Sequence, residues 1–425
     1  MRATSKFELI PVGSDYESIL PEHGVPDPLP EKMKAWVTYK GGRTVLEDLP
    51  LPEMLLDDVL IEPLWISICS SDVSKFIDLA GDLNKAIFGH EFAGRIVGAG
   101  RNANKALIGQ IVVVEEHYPC LQCSLCLQGK FDTCQNQGFL GWHKSGNPKD
   151  WIRNGAFAEF VSMHQSCAKL TQGIEKLDFF PSLAEPLGNT VKMERMVREK
   201  CGRVPETLAI WGGCGAQALY MVPYFSGKGV KNFVLIHRGK PAMMYMKSCV
   251  TDLDANFYFV NSEDEQELNR LKKELGQEDG FVCIELTGQE KVQRRVVDYA
   301  SPRGKIFYYG LPEAGKRIMI PGTNIDLYTF VTGKAGIEEL DLNGVKGFRV
   351  MGRDSESWKE TIERLKTNGQ LRKKVMKPLV MAGTTENIGD LVDYLINHGV
   401  RYDQDPYGPR PAKFAVFSER MVRKP

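Results

Sequence analysis

Four cysteines, Cys120, Cys123, Cys126 and Cys134, follow one another in the spacing C-x2-C-x2-C-x7-C, and no other feature restricts this chain so tightly. A loop with that spacing closes around a single ion without help from distant residues. Four thiolates complete the tetrahedron of zinc, so such a site keeps no open position and serves structure rather than reaction. Gln122, Ser124, Gln128, Gly129 and Lys130 make the loop polar, and in an exposed polar loop free thiols are a liability. Upstream, Cys69 and the run Gly89-His90-Glu91-Phe92-Ala93-Gly94 offer thiolate, imidazole and carboxylate donors. A mixed set of that kind is the composition of a zinc site that reserves a position for substrate. Two zinc ions per chain are expected, one structural and one catalytic.

The 425 residues suffice for two domains with cores of their own, and 43% apolar with 25% charged residues is the balance of a globular protein. The 54 Lys and Arg equal the 54 Asp and Glu, so no global field steers the chain to nucleic acid or to an anionic membrane surface. Small-molecule partners are expected, with no nucleic acid and no membrane. The amino terminus lacks the apolar segment of a signal peptide, and no stretch approaches the roughly 20 apolar residues that span a bilayer. A cytoplasmic location with reduced thiols follows as the expectation.

Residues 1–32 hold Pro11, Pro21, Pro26, Pro28 and Pro30 with little apolar periodicity, which predicts an irregular leader. Short β-like runs at 34–39, 58–62, 91–97 and 111–115, parted by glycine or proline turns, predict a compact barrel. Beyond Pro186 the pattern alternates: a helix at 189–200, a strand at 208–211, a helix from about 216, then strands at 232–236, 280–285, 305–309 and 347–351. Strands joined by crossover helices predict a doubly wound parallel sheet. A helix at 355–367 and a strand at 413–417 are expected to return to the first domain. The expected division is a leader at 1–32, a catalytic domain at 33–190, a dinucleotide-binding domain at 191–352 and a returning segment at 353–425.

The strand ending at Trp211 runs into Gly212-Gly213-Cys214-Gly215-Ala216-Gln217-Ala218. Read as G-x-G-x-x-A, the turn uses Gly213 and Gly215, with Ala218 where helix and strand pack closely; read one residue earlier, Gly212 comes first. In either register Gly213, Gly215, Ala216 and Gln217 face a pyrophosphate at the start of a helix. After the next strand the chain reads His237-Arg238-Gly239-Lys240. A carboxylate there accepts the ribose hydroxyls of NAD, whereas Arg238, beside His237 and with Lys240, suits the 2′-phosphate of NADP. The expectation is a preference for NADP(H), with NAD(H) possible; the alternative is a solvated basic turn, with Asp252 and Asp254 not far downstream.

Five ordered motifs carry a family resemblance: Cys69-Ser70-Ser71-Asp72, the Gly89–Gly94 run with Gly98 and Gly100, the cysteine lobe, Gly155-Ala156-Phe157-Ala158-Glu159-Phe160, and Glu185-Pro186-Leu187-Gly188-Asn189. From about residue 33 to about residue 381 the chain resembles the zinc-dependent medium-chain dehydrogenases/reductases of the alcohol dehydrogenase superfamily, and within them the sorbitol and threonine dehydrogenases. The resemblance implies an α/β architecture, a GroES-like β-barrel catalytic domain followed by a Rossmann cofactor domain. It implies that Cys69 and His90 hold the catalytic zinc, that Glu91 and Glu185 supply carboxylate ligation, together or in exchange, and that Cys120, Cys123, Cys126 and Cys134 hold the structural one. Ser71 takes the place of a hydroxyl that binds the substrate oxygen and passes its proton outward; its other reading is a cap on a helix starting near Asp72. A histidine common in the family two residues after Asp72 is Ser74 here.

The resemblance also implies the activity, interconversion of a secondary alcohol (a polyol, sugar or amino-alcohol) and its ketone by hydride transfer. Lys144, Lys149 and Arg153 lie in a segment that borders the active site in the relatives; they suit a phosphate or carboxylate, which makes a sugar-phosphate reductase the alternative enzyme. A binding or structural protein that lost the chemistry is the alternative of another class. A homodimer or homotetramer is expected, because in the relatives the strand corresponding to 347–351 pairs across a two-fold axis.

Overall fold

The structure, a computed structural model, describes residues 10–11, 25–26, 28–69, 71–72, 85–128, 134, 136–141, 154–171, 180–276, 280–312, 316–350, 352–367, 379–384, 388–389, 391 and 413–417. They form two compact units, one of the described residues up to Pro186 and from Trp358 onward, the other of Leu187–Ser357. Among the described residues no helix is long and apolar enough to cross a membrane.

The first unit is organised by the strand Asp58–Ile68, every residue of which is buried. Along one edge it pairs antiparallel with Glu91–Ala99. Its amino-terminal half also pairs with Val161–His164 and its carboxyl-terminal half with Lys413–Phe417. The last strand thus returns to the first unit, as the apolar run at 413–417 suggests. Pro63 is tolerated in this strand because the ladder shifts register between Pro63 and Trp65, the bulge position where a missing donor costs no ladder bond. Val59, Ile61, Phe88, Phe92, Ile96, Val112, Phe157 and Phe160 pack into one core, and each large apolar side chain removed from water stabilises the fold by about 1.5–3 kcal/mol.

The leader is not wholly irregular. Ile10–Pro11 pairs with Leu379–Thr384, and Val25 and Leu29 pack against the core. A two-residue edge pairing uses too few positions for alternation to show in sequence.

The second unit holds a seven-stranded sheet in the order Asn256–Asn261, Asn232–His237, Thr207–Trp211, Val282–Glu285, Lys305–Tyr308, Val345–Arg349, Glu339–Leu342. All neighbours are parallel except the last pair. The inner strands are near-continuous apolar runs because helices cover both faces of such a sheet. The strand order reverses beside Thr207–Trp211, and ligands of these sheets bind beyond the carboxyl ends at that point. The segment predicted at 347–351 is an interior strand, Val345–Arg349, paired on both sides. The sheet edge is Glu339–Leu342, whose Glu339 and Asp341 are exposed. A short antiparallel hairpin through Asn343-Gly344 adds that edge strand.

Candidate metal centres and dinucleotide site

The lobe cysteines converge. Their four Sγ atoms lie within 4.8 Å of one another, with Cys120 to Cys126 and Cys123 to Cys134 both at 3.9 Å. Sulfurs bonded at 2.3 Å to one tetrahedral ion stand about 3.8 Å apart, whereas a disulfide needs about 2.05 Å. The donor set therefore fits zinc. Two backbone N–H groups already donate to these sulfurs, Cys120 to Cys134 at 3.3 Å and Cys126 to Cys123 at 3.5 Å. Burial pushes the Cys126 thiol up and the Cys134 thiol to about 11, so a cation is what makes four thiolates tenable there.

The second cluster is assembled by the strand pair Asp58–Ile68 and Glu91–Ala99. Cys69 follows the first strand, His90 precedes the second, and Glu91 opens it opposite Ser67, whose hydroxyl donates to the Glu91 carboxylate. Gly89 sits at φ +93°, and a Cβ there would stand 2.6 Å from the Phe157 ring, so the tight entry to His90 requires glycine. One donor atom each from Cys69, His90 and Glu91 falls within a single 4.8 Å group. Thiolate, imidazole and carboxylate fit zinc, with one tetrahedral position left over. Glu185 is buried in the first turn of the helix Ala184–Cys201 and stands outside that group.

His90 is oriented by a residue whose part in the site the motif alone does not reveal. Its Nδ1 lies 3.0 Å from Asp72 Oδ1, and Asp72 also accepts from the N–H of Cys69 at 3.1 Å and of Gly89 at 3.3 Å. With Nδ1 bonded to a carboxylate, Nε2 is the nitrogen presented to a metal. Ser71 Oγ is 3.4 Å from that Nε2, and Ser71 and Asp72 are helical. A second unpredicted neighbour, Glu116, places Oε2 3.5 Å from Nε2. Burial opposes a charge on His90, but the carboxylates of Asp72 and Glu116 outweigh it and hold the imidazole well above its ordinary value. A dication at Nε2 reverses that preference by competing for the same lone pair.

In the second unit, Gly212 and Gly213 share the constraint that sequence left between two registers. Gly212 adopts φ +83°, and a Cβ on Gly213 would lie 2.6 Å from the Ile210 carbonyl and 2.9 Å from Leu235 Cα. Gly215, Ala216 and Gln217 lead into the helix Ala218–Ser226, two residues later than predicted, and Ala218 is fully buried against the sheet. Gln217 stands at the N-cap without capping it and instead donates to Thr190 at 3.1 Å. His237 ends its strand half-buried, its Nδ1 accepting from the N–H of Gly239 at 2.9 Å. Burial holds His237 below its ordinary value, and the Arg238 charge acts in the same direction. Arg238 and Lys240 are exposed. Asp254 pairs with Lys231 at 3.7 Å, before the start of the strand Asn232–His237 and so at its far end. Glu285, absent from the expected site, is buried at a carboxyl strand end beside Trp211, and takes the N–H groups of Thr287 at 2.7 Å and Gly288 at 3.1 Å. Lys144, Lys149, Arg153 and Ser74 lie outside the described residues.

Residues 56–172 match the alcohol dehydrogenase GroES-like domain family. The chain is 27% identical over 345 residues to L-threonine 3-dehydrogenase of Bacillus subtilis, covering 79% of this chain and 88% of that one. To sorbitol dehydrogenase of the same organism it is 23% identical over 367 residues, covering 83% and 98%. Galactitol-1-phosphate dehydrogenase from Escherichia coli superposes with a TM-score of 0.69 at 17% identity, covering 91% of this chain and 100% of that one. Residues 56–172 thus belong to the alcohol dehydrogenase GroES-like domain family, and the chain with its Rossmann-type parallel sheet is similar in sequence to the zinc-type medium-chain alcohol dehydrogenases.

Proposed function

We propose that this protein is a zinc-dependent oxidoreductase that interconverts a secondary alcohol, a polyol, sugar or amino-alcohol, and its ketone by hydride transfer with NADP(H). That it is an oxidoreductase of the alcohol dehydrogenase type follows from its relatives; metal, cofactor preference and substrate class are our reading. The observation that carries it is the convergence of Cys69, His90 and Glu91 within 4.8 Å.

Zinc and the nicotinamide, when bound, supply the Lewis acid that acidifies an alcohol and the acceptor for its hydride. Cys69, His90 and Glu91 hold the ion, and the charges of one thiolate and one carboxylate balance its own. Asp72 fixes the tautomer and direction of His90. Ser71 Oγ, 3.4 Å from His90 Nε2, accepts the substrate hydroxyl proton and hands it outward. Gly213, Gly215, Ala216 and Gln217 bring backbone to the pyrophosphate. Arg238 and Lys240 pair with a 2′-phosphate, a reading favoured by the position of Asp254, whose partner Lys231 precedes the opposite end of that strand. The lobe zinc stabilises structure, and we expect a homodimer or homotetramer in the cytoplasm.

A panel of polyols, amino-alcohols and their ketones, assayed with NADPH and NADH before and after chelation, tests the proposal. Metal-dependent turnover of a secondary alcohol with NADP supports it; turnover indifferent to chelation, with no zinc left bound, removes it.

A further inference from the structure

We propose that Glu285 is a positioning residue of the dinucleotide site: from the carboxyl end of its strand it fixes the turn 286–288 as the wall against which the glycine turn at 212–215 rests. This depends on reading that glycine turn as the place where a nicotinamide cofactor binds.

Glu285 ends the strand Val282–Glu285, opposite Trp211 on one side and Tyr308 on the other. Residues in register on neighbouring strands share a face of the sheet, and Trp211 and Tyr308 pack there with Val292 and Val296 of the helix Glu290–Ala300. Glu285 is fully buried between them. Its carboxylate gathers the donors of the turn that follows. Oε1 takes the N–H of Thr287 at 2.7 Å and that of Gly288 at 3.1 Å, and the Thr287 hydroxyl donates to the same oxygen. That hydroxyl accepts in turn from the N–H of Gln289 at 3.1 Å, the residue that precedes the helix and gives it no side-chain cap. The Glu285 carbonyl takes the N–H groups of Tyr309 at 3.0 Å and Gly310 at 2.9 Å. One residue thus governs the turns that leave two neighbouring strands.

The turn 286–288 has no slack on either side. Leu286 donates its N–H to the Trp211 carbonyl at 3.0 Å, and a Cβ on Gly212 would stand 3.1 Å from Thr287 Cγ2. On the other side a Cβ on Gly310 would collide with the Gly288 nitrogen. Where Thr287 is held therefore decides where Gly212 lies. Ligands of such sheets bind in the crevice beyond these strand ends, with backbone N–H groups placed for phosphate. The choice of a carboxyl is informative as well. Burial lifts it above its ordinary range, a penalty that an amide acceptor avoids, and ionisable groups held against their solvation gather at functional sites.

Fluorescence titration with NADPH and with NADH tests this, beside cofactor KM and kcat. Glu285→Ala is expected to raise both dissociation constants by about 3–10-fold. Thr287→Val, which keeps the methyl facing Gly212 and removes the hydroxyl, should do the same. The two cofactors change equally, because the wall stands at the turn they share; cofactor KM rises in step and kcat stays near the parental value. Glu285→Gln, which keeps an acceptor in place, restores most of the affinity. Glu194→Gln is the control. Glu194 is as buried as Glu285 and is held by Arg198 at 3.1 Å and Lys228 at 3.6 Å, so its replacement lowers the urea midpoint and leaves both cofactor constants parental. Parental constants in Glu285→Ala and Thr287→Val overturn the proposal, as does a change confined to NADPH or a rise of the same size in Glu194→Gln. If Glu285→Ala does not fold, Thr287→Val decides alone. A parent that binds neither nucleotide defeats the cofactor-site reading itself; a parent that binds them, with variants that match it, defeats only the role of Glu285.

Discussion

His90 Nδ1 and Asp72 Oδ1 stand 3.0 Å apart in a site where Asp72 is fully buried and His90 nearly so. The pair fixes which imidazole nitrogen faces the metal and raises its basicity. Because the two Asp72 oxygens also take N–H groups from Cys69 and Gly89, one carboxylate holds two ligands in register. Asp72→Asn should therefore weaken catalytic zinc by about 10–100-fold, read by competition with a chromophoric chelator, while the lobe ion stays bound. Unchanged affinity would deny Asp72 this role.

Cys123→Ser should release the lobe zinc and spare the catalytic one. An ion bound at 100 times its dissociation constant stabilises a fold by about 2.7 kcal/mol, so a loss of that order is expected in urea unfolding. A variant with parental stability and two zinc ions would contradict the structural role.

Arg238 is exposed at the end of the strand Asn232–His237, where a charge-assisted contact to a phosphate is worth about 1.5–3 kcal/mol. Arg238→Ala should raise the NADPH dissociation constant by about 10–100-fold and move that of NADH little. Equal changes for both cofactors would dismiss the 2′-phosphate contact.

Glu285 is fully buried, and burial raises its carboxyl above the ordinary 4.5 although Thr287 and Gly288 donate to it. A raised folded-state value means the fold favours the protonated form. Its contribution is complete below the unfolded value and declines as pH climbs through the folded one. Glu285→Gln should flatten that decline, so the stability difference between variant and parent shifts in favour of the variant from pH 5 to pH 8. Parallel profiles in paired urea titrations would refute it.

What sequence revealed and what it hid follow from chain distance. The cysteine lobe, the Gly89–Gly94 run and the glycine turn at 212–215 are local, so spacing alone exposes them. Asp72 and Glu116 reach His90 only through the pairing of Asp58–Ile68 with Glu91–Ala99 and of that strand with Ile111–Val114. Register between strands is not written in any one of them. Asp72 belongs to the Cys69-Ser70-Ser71-Asp72 motif, which marks it in the sequence; Glu116, in Glu115-Glu116-His117, carries no such signal. The same limit explains Val345–Arg349, whose apolar run predicts a strand correctly but cannot say that Glu339–Leu342 covers its outer edge. Glu285 escaped notice because a carboxylate ending a buried strand reads like any strand terminus until its neighbour, Trp211, is known.

The most direct measurement is zinc content and turnover of Cys69→Ala beside the parent. The parent should carry two zinc ions and be active; the variant should carry one zinc, show no detectable turnover and keep near-parental NADPH affinity. A variant that keeps parental turnover, or a fully active parent with no bound transition metal, would contradict this.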